Sequence, residues 1–417
     1  VWYETTDLTI QKQGMPARRK IINDPVYGFI TINHPLVFFL LEHPCYQRLR
    51  RIQQMAMASM VYPGAVHSRL HHSLGAYHLM GNAITELRSK GIEITADEEL
   101  AVKCAILLHD IGHGPFSHAL EGRLLTNVDH EEMSLAIMHQ LNQESGGQLD
   151  LAIRIFTNQY HHPFLHQLIS GQLDMDRMDY LSRDSFFSGV SEGVIGYDRI
   201  LKMLTVWNGQ LMVEEKGIYS IEKFLIARRQ MYWQVYLHKT VLAAEKMLVK
   251  ILERVRDIYS PKDKDLPTLT ELDFFLAHPA TGLTEENIQR FCSLDDHDVL
   301  HAVKRWSQHP DPLLSMLCQR LLSRRFFKCQ IQSTPFSAAY VEQKKLDLKQ
   351  QYNLREEDLS YVCFTGEASN TLYQTRDERI QVLFKDGSVK DITRIDNALI
   401  QENLSTPVKK FYICMLT

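Results

Sequence analysis

The chain has 417 residues, with 46 Lys plus Arg against 50 Asp plus Glu and 45% hydrophobic residues. This length suits two or three domains with a large core, and the charge balance excludes a bulk polycation, so a nucleic-acid partner would need a local basic patch. Seven scattered cysteines with no CxxC pair argue against a zinc finger or a disulfide framework, and no apolar run is long enough to span a bilayer; the expectation is a soluble, cytoplasmic protein without a membrane partner.

Residues 1–23 are polar and mixed and read as an N-terminal arm. Asp24-Pro25-Val26-Tyr27-Gly28 is turn chemistry. His34-Pro35 opens a helix that Pro44 ends, and a second helix is expected from Tyr46 to Met60. Helical periodicity then continues to about residue 325, with segments at 73–90, 97–109, 131–142, 149–157, 163–170, 174–182, 198–204, 221–255, 268–277, 284–291, 295–307 and 311–324. A hairpin is expected within 209–219. Residues 24–325 therefore read as one all-α domain.

Past residue 325 the period changes to that of strands. Strands are expected at 326–331, 359–364, 380–384, 389–393 and 409–415, with helices at 337–351 and around 395–402. Asp386-Gly387 marks a hairpin turn. Residues 326–417 read as a small α+β lobe, whose order suggests a ferredoxin-like arrangement.

The chemistry concentrates in His109-Asp110-Ile111-Gly112-His113-Gly114-Pro115-Phe116-Ser117-His118, which follows the apolar run 100–108. Of the 19 histidines, 14 lie before residue 170. A neutral imidazole beside a carboxylate is a natural pair of divalent-metal ligands. His72 lies upstream, in Arg69-Leu70-His71-His72, and Asp176 downstream, in Asp174-Met175-Asp176-Arg177. Adjacent helical residues point about 100° apart, so only one of His71 and His72 would reach a common ion.

The order His…His-Asp…Asp resembles the HD-domain metal-dependent phosphohydrolases. The segment from Asp24 to Lys239 is similar to the branch that contains the dNTP triphosphohydrolases. The resemblance implies an HD-type helical bundle holding one divalent ion (Mn, Fe, Zn or Mg) through His72, His109, Asp110 and Asp176. It places His118, Glu121 and His130 as a proton donor and its relay, with His113 beside the phosphates. Arg69, Arg177 and Arg228 would bind a triphosphate, whose oxygens a guanidinium fork matches. Gln54, Tyr180 and Asp184 would read a deoxyribose, and Tyr236 would stack on the base. Glu42, Gln47 and Arg50 match positions that read a nucleotide activator, and relatives of this kind assemble as homodimers or homotetramers.

The activity so implied is hydrolysis of a dNTP to deoxynucleoside and inorganic triphosphate. Two alternatives stand beside it: a nucleotide phosphatase or phosphodiesterase with another phosphoester substrate, and a nucleotide-sensing or nucleic-acid-binding protein. Short basic clusters at 18–20, 228–229 and 324–325 keep nucleic acid open as a partner. No GxxxxGK[ST] occurs, which excludes the P-loop class. No GYP signature accompanies the HD motif, which disfavours cyclic-di-GMP phosphodiesterases.

Overall fold

Apolar residues at helical spacing, closed by capping side chains, make this chain mainly α. The computed structural model describes residues 19–260, 263–277, 280–370, 379–395 and 408–417. Strands β1 (Lys20–Asp24) and β2 (Gly28–Ile32) form an antiparallel hairpin. Its turn is held by the Asp24 carboxylate, which accepts from Val26 N and Tyr27 N at 2.9 and 3.0 Å. Helix α1 (Pro35–Glu42) follows, starting at the His34 cap with Pro35 at the first helical position.

The helix expected from Tyr46 to Met60 is not continuous. After one helical turn at Pro44–Gln47 come tight turns at Arg48–Arg51 and Ala56–Met60. The backbone between them bonds elsewhere: Gln53 bridges Ser68, Gln54 N donates to His67 O at 3.0 Å, and Arg69 N donates to Ile52 O at 2.9 Å. These long-range bonds outcompete local helix propensity.

The central layer is α2 (Arg69–Ser89), α3 (Ala96–Leu108), α4 (His130–Glu144), α5 (Asp150–Phe156) and α6 (Met175–Ser188). Helix α2 packs on α3 and α6, and α3 packs on α5. Gly75 permits the α2–α6 approach: a Cβ there would lie 1.9 Å from Asp179 Oδ1 and 2.2 Å from Arg183 Nη2.

Helix α3 begins in a reciprocal cap. Thr95 Oγ1 accepts from Glu98 N at 3.2 Å, and Glu98 Oε2 accepts from Thr95 N at 2.8 Å. Glu98 Oε1 also takes Tyr160 Oη and His162 Nδ1 at 2.9 and 2.8 Å. Burial would raise this carboxyl, but the bonds from Thr95, Tyr160 and His162 outweigh it and hold it below its ordinary value. A depressed carboxyl contributes stability above its unfolded value of 4.5 and loses it as pH falls through the lower folded value. Glu98→Gln is therefore expected to reduce stability at pH 7 by about 1 kcal/mol. The difference from the parent shrinks below pH 4.5, which denaturation midpoints across pH 3–7 would read.

Next come β3 (Leu204–Trp207) and β4 (Gln210–Glu214). Their turn is Asn208-Gly209, both at positive φ (51° and 74°), the pairing that suits a two-residue hairpin. The hairpin thus starts earlier than the 209–219 expected. The helical run expected at 221–255 is split into α7 (Ile218–Met231), a π-turn at Tyr232–Tyr236 and α8 (Lys239–Ile258). Helices α9 (Asp296–Trp306) and α10 (Pro312–Leu322) follow, with α10 packed on α8.

The C-terminal elements are β5 (Lys328–Gln332), α11 (Ala338–Tyr352), β6 (Cys363–Asn370), β7 (Gln381–Leu383), β8 (Val389–Asp391) and β9 (Val408–Met415). β9 lies between β5 and β6, antiparallel to both. β7 instead pairs in parallel with β4, which gives a second sheet of order β8-β7-β4-β3. The described residues therefore do not form a four-stranded ferredoxin-like sheet, because the β7–β8 hairpin extends the sheet of the helical part. The helix expected near 395–402 falls almost wholly outside the described residues, as does most of the N-terminal arm.

Cys45 and Cys292 form a disulfide across 247 residues of sequence, where reduced cysteines were expected. It joins the turn after α1 to the end of the short helix Glu285–Phe291. Among the described residues no helix is long and apolar enough to cross a membrane.

Candidate metal centre and histidine cluster

Three helix ends and one turn converge on the centre. His72 lies in the first turn of α2, whose start is capped reciprocally by Ser68 and His71. His109 and Asp110 follow the last residue of α3 directly. Asp176 lies in the first turn of α6, where the Asp174 carboxylate accepts from Arg177 N at 2.7 Å. The turn after Asp110 sits against the start of α4: Gly112 N donates to Ser134 Oγ at 2.9 Å, and a Cβ on Gly112 would lie 2.3 Å from His130 O.

His72, His109, Asp110 and Asp176 come together. His72 Nε2 lies 3.3 Å from His109 Nε2, 3.1 Å from Asp176 Oδ1 and 3.5 Å from Asp110 Oδ2. His109 Nε2 is 3.5 Å from both Asp110 Oδ1 and Asp176 Oδ1. Neighbouring ligands on an ion with bonds of about 2.1 Å are separated by about 3.0–3.4 Å, so these spacings match the edges of a coordination shell. The far ring nitrogens are occupied: His72 Nδ1 bonds Asp179 Oδ2 at 2.7 Å, and His109 Nδ1 bonds the Ile106 carbonyl at 2.6 Å. Both Nε2 lone pairs are thereby turned inward.

The electrostatics agree. Burial opposes charge on Asp110 and Asp176, yet His109 with Arg69, and His109 with His72, hold the two carboxyls well below the usual range. Burial would lower His72, but its bonds to Asp176 and Asp179 push it up to about 10. The carboxylates draw positive charge into a buried space, as a cation site requires. The donor set fits such an ion.

The second group lies on the far side of Asp110. His113, His118 and His130 pack together edge to face or tilted, with ring centroids 4.9, 4.1 and 5.1 Å apart. Glu121 holds two of them: its Oε2 is 2.7 Å from His118 Nδ1, and its Oε1 is 2.6 Å from His130 Nδ1. These two bonds hold the Glu121 carboxyl far below its ordinary value. Burial would lower His130, but the bond to Glu121 raises it. His113 is held well below its ordinary value by burial and by Arg69.

Arg69 is buried with its guanidinium on Asp110 and its Nε donating to Ser117 Oγ at 2.8 Å. Arg177 pairs with Asp174, and Arg228 Nη1 donates to Gln172 Oε1 at 3.1 Å. Asp184 accepts from Tyr236 Oη at 2.7 Å and bonds His67 Nε2 at 2.7 Å. Tyr236 thus turns its hydroxyl to Asp184, and its ring lies 6.2 Å from that of Tyr180. Gln54 Oε1 is buried with no partner among the described residues. Away from this group, at the start of the chain's helical part, Arg50 Nε donates to Gln47 Oε1 at 2.7 Å, and Glu42 ends α1.

Four supporting residues escaped the sequence reading. Asp179 and Arg183 lie three and seven residues beyond Asp176 on α6, a spacing that places them on its inner face. His67 carries no sequence signal. Asp296 accepts from Phe116 N and Gln53 N at 2.7 and 2.8 Å, so one carboxylate joins the loop after His113 to the turn that carries Gln54. Phe116 and Ser117, in that loop, are both at positive φ (53° and 50°).

Comparison with known proteins places this geometry. Residues 69–184 match the HD domain, and residues 195–291 match the HD associated region. A crystal structure of a phosphohydrolase from Bacteroides thetaiotaomicron superposes with a TM-score of 0.92 at 47% identity, covering 96% of this chain and 100% of that one. The Bacillus subtilis protein YwfO is 30% identical over 94% of this chain and 90% of its own length. The Dictyostelium discoideum deoxynucleoside triphosphate triphosphohydrolase SAMHD1 homologue is 31% identical, over 55% of this chain and 48% of its own. The chain thus spans about half the length of that relative.

Proposed function

The chain belongs to the HD-domain phosphohydrolase family, and on that premise we propose that it hydrolyses dNTPs to deoxynucleosides and inorganic triphosphate. His72, His109, Asp110 and Asp176 would hold one divalent ion. When bound, such an ion lowers the pKa of water toward about 7 and neutralises phosphate charge. Mn, Fe, Zn and Mg all accept this donor set.

The chain's own groups supply the rest. Water oxygen bonds to the α-phosphorus while the bond from that phosphorus to O5′ breaks, and O5′ leaves with the electron pair. It needs a proton, and the His118–Glu121–His130 chain is placed to give one. Glu121 bonds both imidazoles and raises His130 toward its protonated form, and a positioned acid is worth about 10²–10⁴-fold in rate. His113, buried and neutral, faces the same space. Arg69, Arg177 and Arg228 carry the charge needed to hold the triphosphate.

The deoxyribose assignment rests on one observation: Gln54 Oε1 is buried, has no partner among the described residues, and is an acceptor for a hydroxyl donor. Its own backbone bonds that of His67, whose ring holds Asp184. Tyr180 and Tyr236 line the same corner. Glu42, Gln47 and Arg50 are proposed to read a guanine-nucleotide activator in a homodimer or homotetramer.

The test is incubation of metal-loaded protein with each dNTP, with and without GTP or dGTP, and separation of products by ion exchange. Inorganic triphosphate with deoxynucleoside is the expected result. Orthophosphate or a deoxynucleoside monophosphate would instead identify a phosphatase or phosphodiesterase on the same scaffold.

A further inference from the structure

The ion centre accounts for His72 and His109 but leaves the three imidazoles of His113, His118 and His130 facing one another. His113 Nε2 and His118 Nε2 are 3.5 Å apart. One ring nitrogen from each of the three lies within 4.8 Å of those of the other two. The Nδ1 atoms of His118 and His130 are both taken by Glu121. Glu121 Oε1 also accepts from the backbone N of His130 at 3.0 Å, which fixes the carboxylate between the two rings. His113 Nδ1 faces Asp110 Oδ1 at 3.4 Å. In His118 and His130 the nitrogen left over is therefore Nε2, with the Glu121 carboxylate behind each Nδ1; His113 Nδ1 is buried with no hydrogen-bond partner among the described residues, and the Asp110 carboxylate lies beside it. Imidazole Nε2 donors with a carboxylate on the opposite nitrogen are the second-shell arrangement that orients histidines on zinc. Three lone pairs so close together repel unless a proton or a cation sits among them.

We propose that His113, His118 and His130 form a second metal site, for a zinc-class divalent ion with a fourth position open to water or a phosphate oxygen. Three nitrogen donors suit zinc, cobalt, nickel or copper and do not suit magnesium, which prefers oxygen. The negative charges of Glu121 and Asp110 behind the rings offset the charge of the ion. An ion here occupies the Nε2 atoms that would otherwise reach a leaving oxygen, so its binding switches hydrolysis off. This regulatory consequence rests on the function proposed above; the site itself does not.

The experiment is titration of metal-free protein with Co(II), followed by equilibrium dialysis and visible spectroscopy. The parent is expected to bind two equivalents, the weaker one with the intense visible bands of a four-coordinate cobalt site. His118→Ala is expected to bind one equivalent and to lose those bands. His118 is largely exposed on a short turn, so the variant folds. Asp176→Ala is expected to lose the other equivalent and keep the bands. A parent that binds one equivalent only, or a His118→Ala protein that still binds two with the spectrum unchanged, overturns the site. Activity is read separately at one and two equivalents of Zn(II). A loss of about 10-fold or more at the second equivalent is expected, and undiminished turnover with both ions bound refutes the switch. Because metal counting needs no substrate, absence of dNTP hydrolysis leaves this result readable on its own.

Discussion

Asp110→Asn is expected to abolish the bound divalent ion and lower hydrolysis by about 10³-fold or more, while the helical content of the protein stays unchanged. The amide keeps the shape of the carboxylate but removes the charge that faces His72, His109 and Arg69. Without the ion, water near neutral pH is a poor nucleophile, its pKa returning from about 7 toward about 15.7. Metal analysis after dialysis and kcat/KM on the best dNTP give the two readings. Because Asp110 is also the partner of buried Arg69, Asp176→Asn serves as the control for folding. Asp176 is a quarter exposed and, among the described residues, its ion pairs are with the two imidazoles. Both variants should lose metal together with turnover. A variant that retains the parent's full metal content and near-parental turnover would remove its residue from the ligand set.

The part of this site that was legible in the sequence is the part written locally. His109 and Asp110 are adjacent, they end an apolar helix, and glycines follow; the geometry then brings His72 and Asp176 to within 3.1–3.5 Å of them or of each other. His113, His118, Glu121 and His130 were assigned from the family resemblance, and all four fall within 18 residues. What could not be read depends on contacts between distant segments. Asp296 bonds Gln53 and Phe116, 243 and 180 residues away, and Arg48 spans to the carbonyls of Ile111 and Phe291. No periodicity encodes such pairs. The turns in place of a helix after Tyr46 arise from the same cause, because Arg48 and Gln53 serve partners outside the segment. The sheet assignment failed at β7, whose short alternating run fits equally well beside β4 or within the C-terminal sheet. The break at Tyr232–Tyr236 was hidden because every residue of that turn is acceptable in a helix.

The structure also makes a buried arginine a support of the metal centre. Arg183 is fully buried. Its Nε and Nη2 donate to the two oxygens of Asp179 at 3.0 and 2.9 Å, and its Nη1 donates to Asp24 Oδ2 at 2.8 Å. Asp179 in turn takes His72 Nδ1 at 2.7 Å. The N-terminal hairpin, α6 and α2 are thus joined through one guanidinium, separated from the proposed ion by Asp179 and His72. Burial raises the Asp179 carboxyl, and Arg183 more than reverses that, so the aspartate stays ionised in a place water does not reach. Arg183→Met keeps the volume and removes the charge. It leaves Asp179 and Asp24 buried without the cation that pairs them, and breaking such a pair costs about 3–5 kcal/mol. Chemical denaturation should show this loss, and the Asp24→Asn, Arg183→Met double variant should lose less than the sum of the two single changes. A second reading separates support of the centre from general stability. At temperatures where the variant is still folded, loosening Asp179 frees the His72 ring, and metal affinity should fall by about 10–100-fold. A folded Arg183→Met protein with parental metal affinity would confine Arg183 to a packing role and leave Asp179 able to orient His72 alone.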